Sequence, residues 1–118
     1  MPALDLYNYR GKITRIIDGD TLEISLDLGL DVQLQKQILR LKGINAPEMK
    51  GESRESAIAS RNYLSSLVLD KDVIISTYKS RNKDKYGRYL AEVWLLDRGD
   101  RSVNQMLIDG GFAVKYEC

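Results

Sequence analysis

With 118 residues the chain can bury one hydrophobic core and is too short for two. Its 18 basic and 17 acidic side chains leave a net charge of +1, so no global field draws it to nucleic acid, and any such binding has to come from local clustering. The absence of histidine is the sharpest exclusion, because it removes a histidine base, a histidine metal ligand and a serine–histidine pair from the possible chemistries.

The only cysteine is Cys118, which excludes an intrachain disulfide and a zinc site built from several thiolates. The first ten residues lack the basic start and long apolar run of a signal peptide, and no run of 18 apolar residues occurs. The expectation is a cytoplasmic protein without a membrane partner, with a secreted mature form as the alternative. No linker, repeat or low-complexity tract divides residues 1–118, so they read as one domain.

In chain order, the β-branched and apolar residues Ile13, Thr14, Ile16 and Ile17 predict a first strand over Gly11 to Ile17. Asp18-Gly19-Asp20 supplies a turn. Leu22, Ile24, Leu26 and Leu28 then alternate with Glu23, Ser25 and Asp27, the period of a second strand with one buried face. The two should form a hairpin. A third strand is expected from about Val32 to Ile44, ending at Asn45-Ala46-Pro47, where proline removes a ladder donor.

Between about Ser53 and Leu69 the spacing of Ala57, Leu64, Leu67 and Val68 is helical, with Glu55 near the positive end of the helix dipole. Val73 to Tyr78 and Tyr89 to Leu95 predict two more strands, joined by the charged loop from Lys79 to Arg88. Ser102 and Gln105 have capping-box spacing ahead of a short helix that Gly110-Gly111 can stop. Three strands, a helix, two strands and a helix make a mainly β chain with helices (α+β), in the connectivity of a five-stranded OB-type barrel. That fold hosts both enzymes and binding modules, so the site residues have to decide function.

Three separated patches carry chemistry: Asp18-Gly19-Asp20-Thr21, then Arg40 with Asn45-Ala46-Pro47-Glu48, then Asp84-Lys85-Tyr86-Gly87-Arg88. Together they offer carboxylates for a hard cation, a carboxylate base, and two guanidiniums able to grip a phosphoryl group. From Lys79 to Arg88 five residues are basic and only Asp84 is acidic, and with Tyr86 among them the loop has the makings of a single-strand groove.

These strings, together with Val103-Asn104 and Gly111-Phe112-Ala113, resemble the staphylococcal (thermonuclease-like) nuclease family over about Tyr9 to Tyr116. The resemblance implies a calcium-dependent endonuclease that cuts DNA and RNA, with single strands as the preferred substrate, and it makes Lys85 and Tyr86 substrate contacts. It assigns Glu48 as general base, Arg40 and Arg88 as the phosphate clamp, and Asp20, Asn45 and the Ala46 carbonyl as metal ligands. Asp18 becomes a supporting turn residue behind Asp20. No obligate protein partner is implied.

The chain departs from the family's pattern in three places. Asn45 stands where the best-known members carry an aspartate ligand, which removes one negative charge from the metal site. Met49-Lys50-Gly51-Glu52-Ser53 is shorter than the loop that often follows the base. The sequence ends at Cys118 without the further carboxy-terminal helix of longer members, for which lower stability is the expectation. The rival reading is an OB-fold module that binds nucleic acid or protein without cutting it.

Overall fold

In the computed structural model, which describes residues 7–77, 88–96 and 101–116, β1 (Asn8–Asp18) and β2 (Thr21–Gly29) form the expected antiparallel hairpin. β1 begins three residues earlier than its apolar pattern predicts, because its first part pairs on the other side with β5 (Asp72–Thr77), from Asn8 opposite Ser76 to Lys12 opposite Asp72. β3 (Val32–Leu41) returns antiparallel to β2. After the helix, β6 (Tyr89–Leu95) pairs antiparallel with β5 and parallel with the end of β3, closing a barrel in the order β1-β2-β3-β6-β5.

The third strand is shorter than expected. It ends at Leu41, the chain turns at Gly43 with φ +81, and Ile44–Asn45 forms a separate strand, β4, paired with β7 (Val114–Lys115). A continuous strand would carry Ile44 along the barrel wall, whereas the turn buries it in the core at 1% exposure. The same turn carries Asn45 and Ala46 back toward the β1–β2 connection.

Period-two alternation puts Leu22 and Ile24 of β2, Leu39 and Leu41 of β3, Val73 and Ile75 of β5, and Val93 of β6 inside the barrel, all fully buried. α1 (Arg54–Val68) packs against β1 through Ala57, Ser60, Leu64 and Val68, a stripe at helical spacing. Full burial of a side chain such as Leu64 or Val68 stabilises by about 1.5–3 kcal/mol. Ser53, ahead of α1, does not cap it; its Oγ donates to the carbonyls of Glu48 and Lys50 and folds the segment after Pro47 instead.

α2 (Val103–Asp109) is capped as its sequence predicts, Ser102 Oγ accepting from the Gln105 N–H at 3.1 Å, and the chain leaves it through Gly111 at φ +80. Only half of the capping box forms, since the Gln105 amide donates to Asp109 rather than back to Ser102. Beside it, the buried Asn104 seals the barrel where β6 parts from β3. Its Nδ2 donates to the carbonyls of Lys42 and Ala91 at 2.8 and 3.1 Å, and its Oδ1 accepts from the Val93 N–H at 3.0 Å. The Tyr63 ring stacks on Phe112 with centroids 4.2 Å apart, which makes it a packing residue of α1.

Candidate active site at the turn between the first two strands

The site is built on a tight approach of three segments. Gly19 lies so close to Ala46 and α1 that an added Cβ would stand 2.8 Å from the Cβ atoms of both Ala46 and Ser60, so only glycine permits this packing without a shift. Asp20 is thereby carried into a buried position, 8% exposed. Its Oδ2 accepts from the Ala46 N–H at 2.9 Å, and its Oδ1 accepts from the Thr21 hydroxyl at 3.0 Å.

Arg40 reaches the same carboxylate because Thr21 and Arg40 are register partners across β2 and β3. Its Nη2 stands 3.5 Å from Asp20 Oδ2 and donates to Asn45 Oδ1 at 3.2 Å, while Nη1 donates to the Leu41 carbonyl at 2.9 Å. Both partners of the ion pair are nearly closed off from solvent, so each depends on the other for charge compensation. Arg88, immediately before β6, donates from Nη1 to the Thr21 hydroxyl at 3.3 Å. Arg88, Thr21 and Asp20 therefore form a chain of hydrogen bonds, each donating to the next.

The structure thus brings Asp20, Arg40, Asn45, Ala46 and Arg88 together from all three sequence patches. Asp18 sits behind them, its Oδ1 accepting from the Asp20 N–H at 3.3 Å. Burial raises its pKa above the ordinary 3.8, the side-chain hydrogen bond with Asp20 and the negative charge of that carboxylate push in the same direction, and the Asp20 N–H that it accepts opposes them. Glu48 stands apart from the bonded cluster: its side chain is 73% exposed and pairs with Lys50 at 3.5 Å. Lys85 and Tyr86, together with Asp84, Gly87 and the basic residues Lys79, Arg81 and Lys83, lie outside the described residues.

Thr21 is the participant that the sequence reading assigns no role. Its signal was its position next to Asp20 on the outward row of β2, opposite an arginine.

The candidate oxygen donors are a carboxylate, an amide oxygen and a backbone carbonyl, all hard ligands of the kind a calcium or magnesium ion takes, and in this structure the Asp20 and Asn45 oxygens face the Arg40 guanidinium. In kind they fit such a cation. In charge they are sparse, since no group of three or more Asp, Glu, His or Cys side chains able to hold a metal occurs among the described residues. A cation held by one carboxylate and neutral oxygens leaves positions for a substrate phosphate. Among the described residues no helix is long and apolar enough to cross a membrane.

Comparison with known proteins places these features in a family. A protein named uncharacterized endonuclease from Escherichia coli is 34% identical over 107 residues, covering 91% of this chain and 61% of that protein. Protein ParB of Escherichia coli is 34% identical over 113 residues, covering 91% of this chain and 57% of that one. A protein named thermonuclease from Staphylococcus intermedius is 34% identical over 104 residues, covering 86% and 56%. The chain thus spans less than two thirds of each of these relatives. The family described as staphylococcal nuclease homologue matches residues 38–118, well over half of the chain, and the protein belongs to that family.

Proposed function

We propose that the chain is an endonuclease that hydrolyses phosphodiester bonds of DNA and RNA with the help of one divalent cation, calcium in the first place, and that it prefers single strands. The observation that carries this reading is the bonded row of Arg88, Thr21, Asp20 and Arg40, which fixes two guanidiniums beside a buried carboxylate. Family membership and relatives named endonuclease and thermonuclease support it.

In this reading Arg40 and Arg88 donate to the non-bridging oxygens of the scissile phosphate. Charge grows on those oxygens as the fifth bond to phosphorus forms, so cations fixed in advance stabilise the transition state more than the ground state. Glu48 accepts a proton from the attacking water; its exposure leaves room for water between its carboxylate and the phosphate. Asp20, Asn45 and the Ala46 carbonyl would hold the cation, which when bound neutralises phosphate charge and makes a nearby water more acidic. Lys85 and Tyr86 would bind the strand beyond the scissile bond, one by charge and one by stacking.

A second reading is favoured by one observation, the pairing of the exposed Glu48 carboxylate with Lys50. It makes the chain a non-catalytic OB-fold module that binds nucleic acid or protein. The two are separated by incubating end-labelled single-stranded DNA and RNA with calcium, magnesium or chelator, with wild type beside Glu48→Gln and Arg88→Ala. Cation-dependent cleavage that both substitutions depress by about 10²-fold or more supports the nuclease. Binding without cleavage in every metal overturns it and leaves the module.

A further inference from the structure

The β2–β3 hairpin runs past the closed part of the barrel. β3 meets β6 only from Leu39 to Leu41, so among the described residues its outer edge from Val32 to Ile38 has no strand partner. The apolar row that fills the barrel at Leu22, Ile24 and Leu26 continues beyond it. Leu26 pairs across the hairpin with Leu34, and there Leu28 (42%), Val32 (51%) and Leu34 (42%) are exposed, with Leu30 at the tip 98% exposed.

Exposed edges that carry apolar side chains invite pairing, and proteins usually blunt them with charge or a bulge. Here the blunting is confined to Lys36, whose φ of +57 interrupts the strand. Val32-Gln33-Leu34-Gln35, between Asp31 and Lys36, carries no charge.

We propose that this edge is a self-association surface at which two copies pair antiparallel along β3, about a two-fold axis through Gln33. In that register Val32 of one copy faces Leu34 of the other on the apolar side, Gln33 faces Gln33, and Asp31 faces Gln35. A two-fold axis makes one patch serve both copies, which this short palindrome of apolar and amide side chains satisfies. With the axis at Gln33, Lys36 falls opposite Leu30 at the hairpin tip, outside β3, whereas moving the axis to Leu34 would set Lys36 against Val32, and moving it to Gln35 would set it against Leu34, each placing the charge within the apolar row of the strand. The net charge of +1 per copy opposes association only weakly. Gly29 lies eight steps along β2 from Thr21, roughly 26 Å at strand rise, so pairing at the hairpin leaves the candidate active site open.

Sedimentation of the wild-type chain from micromolar to millimolar concentration tests the surface. The expected result is a mass rising toward twice that of the chain, with association at least about tenfold weaker, ~1.4 kcal/mol, in Leu34→Lys and in Val32→Lys. Circular dichroism confirms that each variant is folded, and Leu30→Lys at the hairpin tip, which sets like charges opposite Lys36 of the other copy, provides a further variant that no barrel packing depends on. The register has its own test in a Cys118→Ser background. Directly opposed residues of an antiparallel pair have Cα atoms about 4.5–5.5 Å apart, within disulfide reach, so Gln33→Cys should cross-link two copies and Gln35→Cys should not. A wild-type chain that stays monomeric at the highest concentration overturns the proposal. So does association that all three substitutions leave unchanged, which would place the contact, with another segment or another face, elsewhere.

Discussion

Asp20 holds Arg40 and the backbone of Ala46 on a single oxygen, Oδ2, at 3.5 Å from the Arg40 guanidinium and 2.9 Å from the Ala46 nitrogen. One carboxylate therefore fixes the end of β2 to β3 and to the segment after β4. The placement of the Arg40 guanidinium and the local fold rest on the same atom.

Asp20→Asn should for this reason damage stability as well as activity. It keeps the shape of the side chain but leaves the buried Arg40 without its counter-charge, a change of about 3–5 kcal/mol for a broken buried pair. Urea unfolding measures it, and the double change with Arg40→Met should recover part of the loss, because an apolar side chain removes the stranded charge. Recovery of stability without recovery of cleavage would separate the two roles of the pair.

Thr21→Val keeps the β-branched shape that suits a strand and removes the hydroxyl linking Arg88 to Asp20. Arg88 then loses one of the bonds that aim it. A misplacement of about 1 Å can cost roughly 10²-fold in rate, so a fall of that order in kcat is the expected outcome, beside a loss of about 1–3 kcal/mol in stability from the Asp20 oxygen left without its donor. Thr21→Ser retains the hydroxyl and should retain most of the activity. Equal kcat values for the two variants would show that Arg88 is positioned by other contacts.

Much of this arrangement could be read before the structure, and the residues show why. Leu22, Ile24 and Leu26 announce β2 by strict alternation, and Ala57, Leu64 and Val68 announce α1 by helical spacing, because both periods report a buried face. The break at Leu41 leaves only a faint mark: in a continuous strand Ile44 would fall on the outward row with Arg40 and Lys42, away from Leu39 and Leu41, and it is the turn at Gly43 together with the pairing of β4 and β7 that buries it. In the site, Asp20, Arg40 and Arg88 were found as residue types that chemistry requires. Thr21 and Asn104 were not assigned roles, because a hydroxyl or amide gains its meaning only from the backbone and side chains that fold against it.

The exposed end of α2 gives a prediction about pH. The pKa of Asp109 is lowered from 3.8, chiefly by the Gln105 amide that donates to it and also by its pair with Arg101. A carboxylate with a depressed folded-state pKa contributes stability above its unfolded value, and the contribution is lost as pH falls through the folded value. Asp109→Asn should lower Tm slightly at pH 7 and have no effect well below pH 3.8. Added salt should shrink the difference at pH 7, since the pair is exposed. Thermal unfolding at the two pH values decides it, and an equal change in Tm at both would assign the effect to something other than charge.

Gly19→Ala addresses the packing that places the whole site. The new methyl would meet Ala46 and Ser60 at once, and neither is the free end of a flexible side chain: one is on the segment that bonds Asp20, and the other is on α1, where its hydroxyl donates to the Phe112 carbonyl. Relief therefore requires the backbone of the turn to move, which overpacking data put at about 1–3 kcal/mol. Because Asp20 is the next residue, the same movement lengthens its bonds to Ala46 and Arg40. Activity should fall by more than the unfolded fraction explains, and the excess should be largest where Asp20 and Asn45 are needed together, in the dependence of cleavage on cation concentration. Adding Ala46→Gly removes one of the two opposing methyls and should restore part of both stability and activity; if stability returns while the cation dependence stays shifted, the remaining contact with Ser60 is what holds the turn out of place.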